Sequence, residues 1–503
     1  MPFLTSAESR FLTAASSLAY CNPFLPERFD FERRALGREF QAGEPVWSVD
    51  VRDPDAPIPN VERLQQRIDP VLETVRQKLR KPLAAPAEND LRVYEESVQL
   101  FLYQRYHPQF RTVRAKAPFY LNFAADAHRY LAIPGLTFDT LNQLPHLFAC
   151  FHQIHRAFHA VFDRIIGSSL PAARLRASVW QSVFTWDMRR YRRVLWNRMG
   201  DFATLITGPS GTGKELVARA ISASRYLPFD PARLEFADAL EDGSFFPVNL
   251  AALSPTLIES ELFGHRRGAF TGALSDRKGW LETCPVTGSV FLDEIGELDL
   301  SLQVKLLRVI ESRRFSAVGD TTLRVFPGKL VAATNRALPG EIRAGRFRED
   351  LYYRLCADLI RTPSLKEQLD DSPAILDHLV LYMLRRAVGP DAEDCLNEVR
   401  DWIGGNLPAN YNWPGNYREL EQCVRNVVIR KSYVPVAQQD THNAGSTEED
   451  LLRSGKLTAE EALSWYATLV YRQTGSYEAA ARRLGMDRRT VKAKVRTSPS
   501  IPG

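Results

Sequence analysis

Cysteine is scarce in this chain: six occur among 503 residues, at positions 21, 150, 284, 356, 395 and 423, and no two form a Cys-x-x-Cys pair. That scatter speaks against a disulfide framework and predicts free thiols in a reducing cytosol. No apolar run is long enough to span a bilayer, so no membrane partner is expected. The opening MPFLTSAESRF has no basic region leading into an apolar core, so no signal peptide is expected and a cytoplasmic protein is. There is no internal repeat and no long low-complexity tract. Strong net charge is missing too, the formal balance being +5. The 45% hydrophobic and 25% charged fractions are those of soluble globular protein, and 503 residues exceed one core, so two to four domains are expected.

What is present falls into regions. Residues 1–175 are aromatic-rich with helical periodicity, and read as a mostly helical regulatory or sensory domain. Over 176–365 the apolar runs FATLITG, SVFLDEIG and KLVAATN alternate with helical patterns, which predicts a parallel sheet with helices on both faces. Residues 366–433 carry apolar side chains at three- and four-residue spacing and read as helical. A polar stretch, 434–456, reads as a linker, and a small helical module at 457–503 closes the chain.

The run GPSGTGKEL, from Gly208 through Pro209, Ser210, Gly211, Thr212, Gly213, Lys214 and Glu215 to Leu216, follows an apolar strand pattern and precedes a helical one. This is the context a phosphate-binding loop requires. Its glycines let backbone N–H groups turn toward phosphate oxygens, the helix N-terminus adds its dipole, and Lys214 supplies a point charge. Glu215 stands where a magnesium-holding Ser or Thr is usual, so metal binding must lean on other groups. SVFLDE supplies them: Asp293 for a magnesium-bound water and Glu294 as general base on the attacking water. Asn335 ends a third strand pattern, where it can sense a γ-phosphate. Arg348, Arg354 and Arg418 read equally as arginines inserted into a phosphoryl-transfer site or as surface partners of Glu349, Asp350 and Glu419.

Further features need explaining. GAFTGA, comprising Gly268, Ala269, Phe270, Thr271, Gly272 and Ala273, brackets an aromatic with small residues, odd for a strand and for a plain turn. In CFHQIHRAFHAVFDR, His152, His155, His159 and Asp163 share one helical face, either as ligands for zinc or iron or as core and interface histidines. RRYRR, at 189–193, reads as the solvated face of a helix. Between Arg472 and Arg496 eight basic residues face two acidic ones, a local balance of +6. That is the footprint of a phosphate-backbone partner, or else a solvated helix face.

GPSGTGKE, ESELFGHRRGAFTGA, GSVFLDEIGELDLSLQVKLLRV, AATN, FREDLYYRL and WPGNYREL, in that order over roughly 180–433, resemble the sigma-54-dependent bacterial enhancer-binding proteins. The resemblance implies a multidomain α/β AAA+ ATPase core with a helical lid, binding ATP and Mg2+ and working as a ring, typically a hexamer. It implies that Gly208–Leu216 holds ATP, Asp293 the magnesium shell, and Glu294 polarises water. Asn249 would engage the catalytic glutamate, Asn335 would be the first sensor, Arg348 and Arg354 trans-acting fingers, and Arg418 the second sensor. Gly268–Ala273 would touch sigma-54 in the RNA polymerase holoenzyme, chiefly through Phe270 and Thr271. SYEAAARRLGMDRRTVKAKV resembles a Fis-like helix-turn-helix, with Arg488, Arg489, Thr490, Lys492 and Lys494 facing enhancer DNA and Asp487 capping its second helix. The departures are Pro209 and Arg266, each at a usual glutamate position, and TPSLKEQLDD, which has Lys366 and Gln368 where the family has arginines. The expected function is ATP-driven remodelling of the sigma-54 closed complex by an enhancer-bound activator. The alternatives are an AAA+ remodelling ATPase with another client, and a nucleotide-gated DNA-binding repressor without useful turnover. Residues 1–175 show no receiver-like arrangement of acids and lysine.

Overall fold

The apolar runs that bracket the glycine-rich loop become neighbours in one parallel sheet. The computed structural model describes residues 3–42, 59–81, 86–237, 244–435 and 458–497. Its five-stranded sheet holds β1 (Thr204–Thr207), β2 (Phe245–Asn249), β3 (Ser289–Asp293), β4 (Lys329–Thr334) and β5 (Asp358–Arg361), in the order β5-β1-β4-β3-β2. All pairings are parallel, and β4 is buried at every position, which is why it reads as an unbroken apolar run rather than an alternation. Register places Asn249 beside Asp293 at the carboxyl ends of β2 and β3. Ligands bind at this edge of open α/β sheets.

Among the described residues, seven long helices lead into the sheet: α1 (Ser6–Leu18), α2 (Glu27–Leu36), α3 (Pro59–Leu79), α4 (Glu88–Phe110), α5 (Tyr120–Leu131), α6 (Leu144–Arg164) and α7 (Leu170–Phe184). Leu64, Ile68, Leu72 and Val75 recur along α3 at helical spacing and are fully buried, and each contributes about 1.5–3 kcal/mol of transfer free energy. The core continues across residue 175 into the sheet: Ala157, Val161, Trp180 and Phe184 pack with Ile206 and Val331, and with Val217 and Ile221 of α8 (Lys214–Ala223). Ser182 and Thr204 both donate hydroxyl hydrogen bonds to Asp358, tying α7 to β1 and β5. After β3 come α9 (Leu300–Ser312) and α10 (Glu349–Leu355); after β5, α11 (Leu365–Asp371), α12 (Ile375–Val388), α13 (Ala392–Asn406) and α14 (Asn416–Arg430). Gln368, one of the departures in TPSLKEQLDD, is buried and accepts from the Ser169 hydroxyl at 3.2 Å, while Lys366 pairs with Asp370 at 3.0 Å.

Residues 1–428 form one unit and 429–503 another. The second contains α15 (Ala459–Thr474), α16 (Tyr477–Leu484) and α17 (Arg488–Thr497) around Val470, Ala480, Ala481 and Val491. The linker reading at 434–456 lies almost wholly outside the described residues, as 436–457 are not described.

Two expectations need correction or resolution. RRYRR is not a solvated face throughout: Arg189 pairs with Glu96 at 2.7 Å and lies 4.4 Å over the Tyr20 ring, and Tyr191 is buried. A buried glutamate on α4 draws the arginine inward. The histidines of α6 are not gathered round one point: His152 lies 4.0 Å from the Phe236 ring and 5.6 Å from Phe110, whereas His155 packs tilted against His159 with ring centroids 4.5 Å apart. Among the described residues no group of three or more His, Cys, Asp or Glu is placed to hold a metal.

Candidate nucleotide site and partner loop

The loop after β1 is clamped from two sides. Gly211 has φ +77°, and a Cβ there would lie 2.2 Å from the Gly415 carbonyl oxygen, so only glycine fits under the start of α14. That contact is bonded as well as close. The Tyr417 N–H donates to the Gly211 carbonyl at 3.1 Å, and Asn416 Nδ2 to the Ser210 carbonyl at 2.9 Å. From below, Thr212 donates to the Pro209 carbonyl at 2.8 Å and hydrogen-bonds Thr362 at 2.7 Å. Gly213 is left-handed, φ +85°, and opens α8 at Lys214. The Lys214 ammonium donates to the carbonyls of Gly208 and Pro209 at 3.1 and 3.2 Å.

The charges converge here. Burial lowers the Lys214 pKa against the pull of Glu294 and Asp293, and Asp293 is raised first by burial and then by the Glu294 charge. A half-buried carboxylate pair beside one ammonium fits a divalent cation and a polyphosphate: the cation relieves the acids and the phosphates satisfy the lysine. The Gly211 cradle and the donor set therefore suit magnesium and a nucleoside triphosphate. Glu215 stands apart, paired with Arg219 at 2.8 Å along the exposed side of α8.

Glu294 adopts a left-handed conformation, φ +55°, immediately after β3, and its Oε2 accepts the Asn335 N–H at 3.2 Å. Sparsely populated backbone of this kind, held by its surroundings, is typical of reacting positions. Asn249 is beside Asp293 in register, yet its Oδ1 accepts the Ala251 N–H at 3.0 Å, and no hydrogen bond joins it to Glu294 among the described residues. Arg418 reaches the loop, Nη1 lying 3.4 Å from the Ser210 hydroxyl. Arg348 and Arg354 do not: they are exposed, paired with Asp350 at 2.6 Å and Glu311 at 3.2 Å.

Sequence reasoning missed Asn416 and Gln303. Asn416 is buried with φ +53°, a conformation asparagine tolerates, and its Oδ1 also accepts the Leu365 N–H at 2.8 Å. The Gly-Asn pair in WPGNY was the available signal. Fully buried Gln303 accepts the Arg348 N–H at 2.8 Å and donates to the Leu298 and Arg346 carbonyls, fixing where α10 begins. A polar residue within an apolar α9 face was its only trace.

GAFTGA is a tight, internally bonded turn, with Gly268 N–H donating to Ala273 O at 2.9 Å and Ala273 N–H to Phe270 O at 3.0 Å. Gly268 and Gly272 both have positive φ, +81° and +100°. The aromatic is not the outermost group. Phe270 folds back onto buried His265, ring centroids 4.9 Å apart, leaving Thr271 and Gly272 exposed and Leu274 87% exposed. Arg266 bonds Asp276 at 2.7 Å and Asp320 at 3.0 Å, joining the base of the turn to the loop after α9.

In the second unit, Gly475 and Gly485 end α15 and α16 in left-handed conformation, and Asp487 Oδ1 accepts the Arg489 N–H at 2.8 Å. Val491 is buried, so Arg488, Arg489, Thr490 and Lys492 point outward. Arg488 pairs with Glu478 at 3.0 Å, and Lys494, which is half-buried, pairs with Glu460 at 2.7 Å.

Residues 188–361 match the sigma-54 interaction domain. The chain is 38% identical over 304 residues to the transcriptional regulatory protein ZraR of Escherichia coli, covering 58% of this chain and 62% of that protein. It is 40% identical over 269 residues to a Nif-specific regulatory protein of Enterobacter agglomerans, covering 53% and 45%, and 37% identical over 317 residues to the DNA-binding transcriptional regulator NtrC of Azospirillum brasilense, covering 60% and 62%. The chain thus spans less than two thirds of the length of each of these relatives. That same segment holds the parallel sheet, the phosphate-loop geometry and the GAFTGA turn, so residues 188–361 are similar to the sigma-54 interaction domain in sequence and carry its motifs in the fold.

Proposed function

We propose that this protein is a cytoplasmic sigma-54-dependent transcription activator that hydrolyses Mg-ATP in a ring, typically hexameric, to remodel the sigma-54 RNA polymerase closed complex. The observation that carries the reading is the GAFTGA turn folded onto His265 within a domain whose phosphate loop is intact. Gly208–Leu216 holds the phosphates, with Lys214 neutralising them, and Asp293 orients the magnesium shell. Magnesium, when bound, offsets charge on the transferring group. Glu294 takes the proton from the attacking water at its carboxylate, which the Asn335 N–H keeps oriented. Arg418 reads the nucleotide from the lid, 366–433. Arg348 and Arg354, exposed and held by Asp350 and Glu311, act on the nucleotide of a neighbouring subunit.

Asn249 couples this chemistry to the turn by exchanging its cap on Ala251 for Glu294. Phe270 then leaves His265 and, with Thr271, meets sigma-54; a rigid aromatic offers large contact area at small entropy cost. Residues 1–175 regulate the motor over 176–365, and 457–503 bind enhancer DNA beyond the linker at 434–456. Arg488, Arg489, Thr490 and Lys492 make those contacts, and Lys494 joins them by exchanging Glu460 for phosphate. The test is capture of purified sigma-54 by the full chain with a transition-state analogue of ATP. Capture that needs both the analogue and Thr271, lost in Thr271→Ala, is expected. ATP turnover without capture would mean a different client.

A further inference from the structure

The turn between α6 and α7 lies against the lid. Ser169 and Gln368 are both fully buried, and the serine hydroxyl donates to Gln368 Oε1 at 3.2 Å. Next to it the Leu170 N–H donates to Asp371 at 2.8 Å. Gln368 and Asp371 stand one helical turn apart on α11, so a single face of that helix takes both contacts. Gly167 closes the seam: its φ is +119°, and a Cβ there would lie 2.8 Å from Ile375 Cδ1 of α12 and 2.9 Å from Gln368 Oε1. Arg176, 1% exposed, stiffens the turn from behind by donating to the Ile165 and Gly167 carbonyls at 2.8 and 2.9 Å.

Gln368 has a second partner. Its side chain also hydrogen-bonds the Tyr417 hydroxyl, whose pKa burial pushes up, so that the hydroxyl stays neutral. Tyr417 lies in the first turn of α14, and its own N–H is the one that donates to the Gly211 carbonyl at 3.1 Å. One buried amide therefore stands between the α6–α7 turn and the residue that grips the phosphate loop. The chemistry of the position explains the departure from arginine. An amide carries both an acceptor and a donor, whereas an arginine has no acceptor for the Ser169 hydroxyl.

The helix that ends at this turn also holds the far end of α8. From α6, Arg156 donates to the Ala223 and Arg225 carbonyls at 2.6 and 3.1 Å, and Gln153 to the Ser224 carbonyl at 2.8 Å. Those carbonyls end the helix that begins at Lys214. Thus α6 is bonded to α8 at one end and, through the turn, to the lid that stands over the other.

We propose that Gln368 is a positioning residue for nucleotide binding, fixing α14 over the phosphate loop by tying Tyr417 to Ser169. Gly211 sits beneath the start of α14, so the seating of that helix sets how closely the loop N–H groups gather on phosphate. When the Gln368 contacts are lost, α14 lifts and nucleotide is held less tightly. Glu294 and Asn335, which belong to the sheet edge, keep their places. The proposal rests on the reading of 208–216 as the phosphate loop; it needs neither hydrolysis nor sigma-54.

The experiment measures the affinity of the full chain for ADP and for a non-hydrolysable ATP analogue, with magnesium, by calorimetry beside thermal midpoints. Ser169→Ala and Tyr417→Phe each remove one oxygen, and each should weaken both nucleotides roughly two- to tenfold. Their double variant should be no weaker than the weaker single, and Gln368→Leu should show the same loss, because all three break one relay. In turnover the loss should fall on KM rather than kcat. Ser169 also caps α7 through the Ala172 N–H at 3.3 Å, so its loss lowers the thermal midpoint as well; Tyr417→Phe leaves that cap in place and separates the two effects. Should Gln368→Leu not fold, the two milder variants and their double carry the test. Unchanged affinity in the single variants, whatever their thermal midpoints, would overturn the assignment and leave Gln368 a packing contact. Losses that multiply in the double variant would overturn the relay. A chain that shows the expected affinities yet never hydrolyses ATP fails the motor reading and leaves the role of Gln368 standing, whereas full affinity in Lys214→Ala would overturn the phosphate-loop reading and this proposal with it.

Discussion

Lys214 and His155 sit in opposite electrical surroundings. The lysine is buried near two carboxylates, Asp293 and Glu294, whereas the imidazole is buried near three other basic groups, His159, His107 and Arg111. In the first place unlike charges are gathered and held by loop backbone, ready for a cation and phosphates. In the second, like charges are gathered and one of them is kept neutral. The nucleotide core spends its polarity within short contiguous motifs; the cavity of about 590 Å³ that His155 lines draws on residues from Leu18 to Arg192. A site built by one loop announces itself in sequence. A cavity built by several helices does not.

The sharpest way to break the comparison is to remove Arg348 and Arg354, the exposed arginines proposed to act on a neighbouring subunit. Arg354→Ala or Arg348→Ala should lower ATP turnover by about 10³–10⁵-fold, leaving nucleotide binding intact. Mixing either with Lys214→Ala subunits should restore part of the rate, measured as phosphate release, because each partner then supplies what the other lacks. A variant whose loss cannot be rescued in mixtures would place its arginine in a structural role. Glu294→Gln comes next: turnover should fall about 10²–10⁴-fold with ATP affinity kept, read by equilibrium binding beside steady-state hydrolysis.

Smaller effects test the clamps. Asn416→Ala leaves the Ser210 carbonyl and the Leu365 N–H without partners, so a stability loss of about 1–3 kcal/mol and weaker ATP binding are expected from denaturant titration with and without nucleotide. Arg156→Gln uncaps the phosphate-loop helix from the other end. It should lower the thermal midpoint modestly.

The pH dependence separates the regions with the smallest signal. His155 has a folded pKa of about 3, below its unfolded value near 6.5, so the unfolded chain binds more protons between those limits. Stability from this group is present above pH 6.5 and is lost as pH falls toward 3. His155→Gln should therefore flatten the decline in thermal midpoint between pH 7 and 5. An unchanged slope would mean that His155 titrates normally in the folded chain.

How much of this was legible follows from range. The parallel sheet was legible because its strands are buried on both faces and read as unbroken apolar runs, KLVAAT above all. The phosphate loop was legible because strand, glycines, lysine and helix lie within one short stretch. Asn416 was not, since its partners Ser210 and Leu365 are far away in sequence. The fold-back of Phe270 was also illegible: nothing in GAFTGA says that His265 will be buried next to it. Nor does the spacing of His152, His155 and His159 say that one will pack on Phe236 while the other two pack tilted against each other.

By itself the sequence determined the elements whose causes are local: the phosphate loop, the acid pair ending β3, the glycine-bracketed turn and the left-handed glycines that end α15 and α16. Tertiary structure alone decided which helix stands over Gly211, which carbonyls Arg156 caps, where Lys494 finds Glu460, and that helices distant in sequence enclose a cavity rather than fill it. The physical reason is one of distance along the chain. Backbone conformation and helix capping are settled by neighbours in sequence, but burial and long-range hydrogen bonds depend on which distant side chains arrive at the same place.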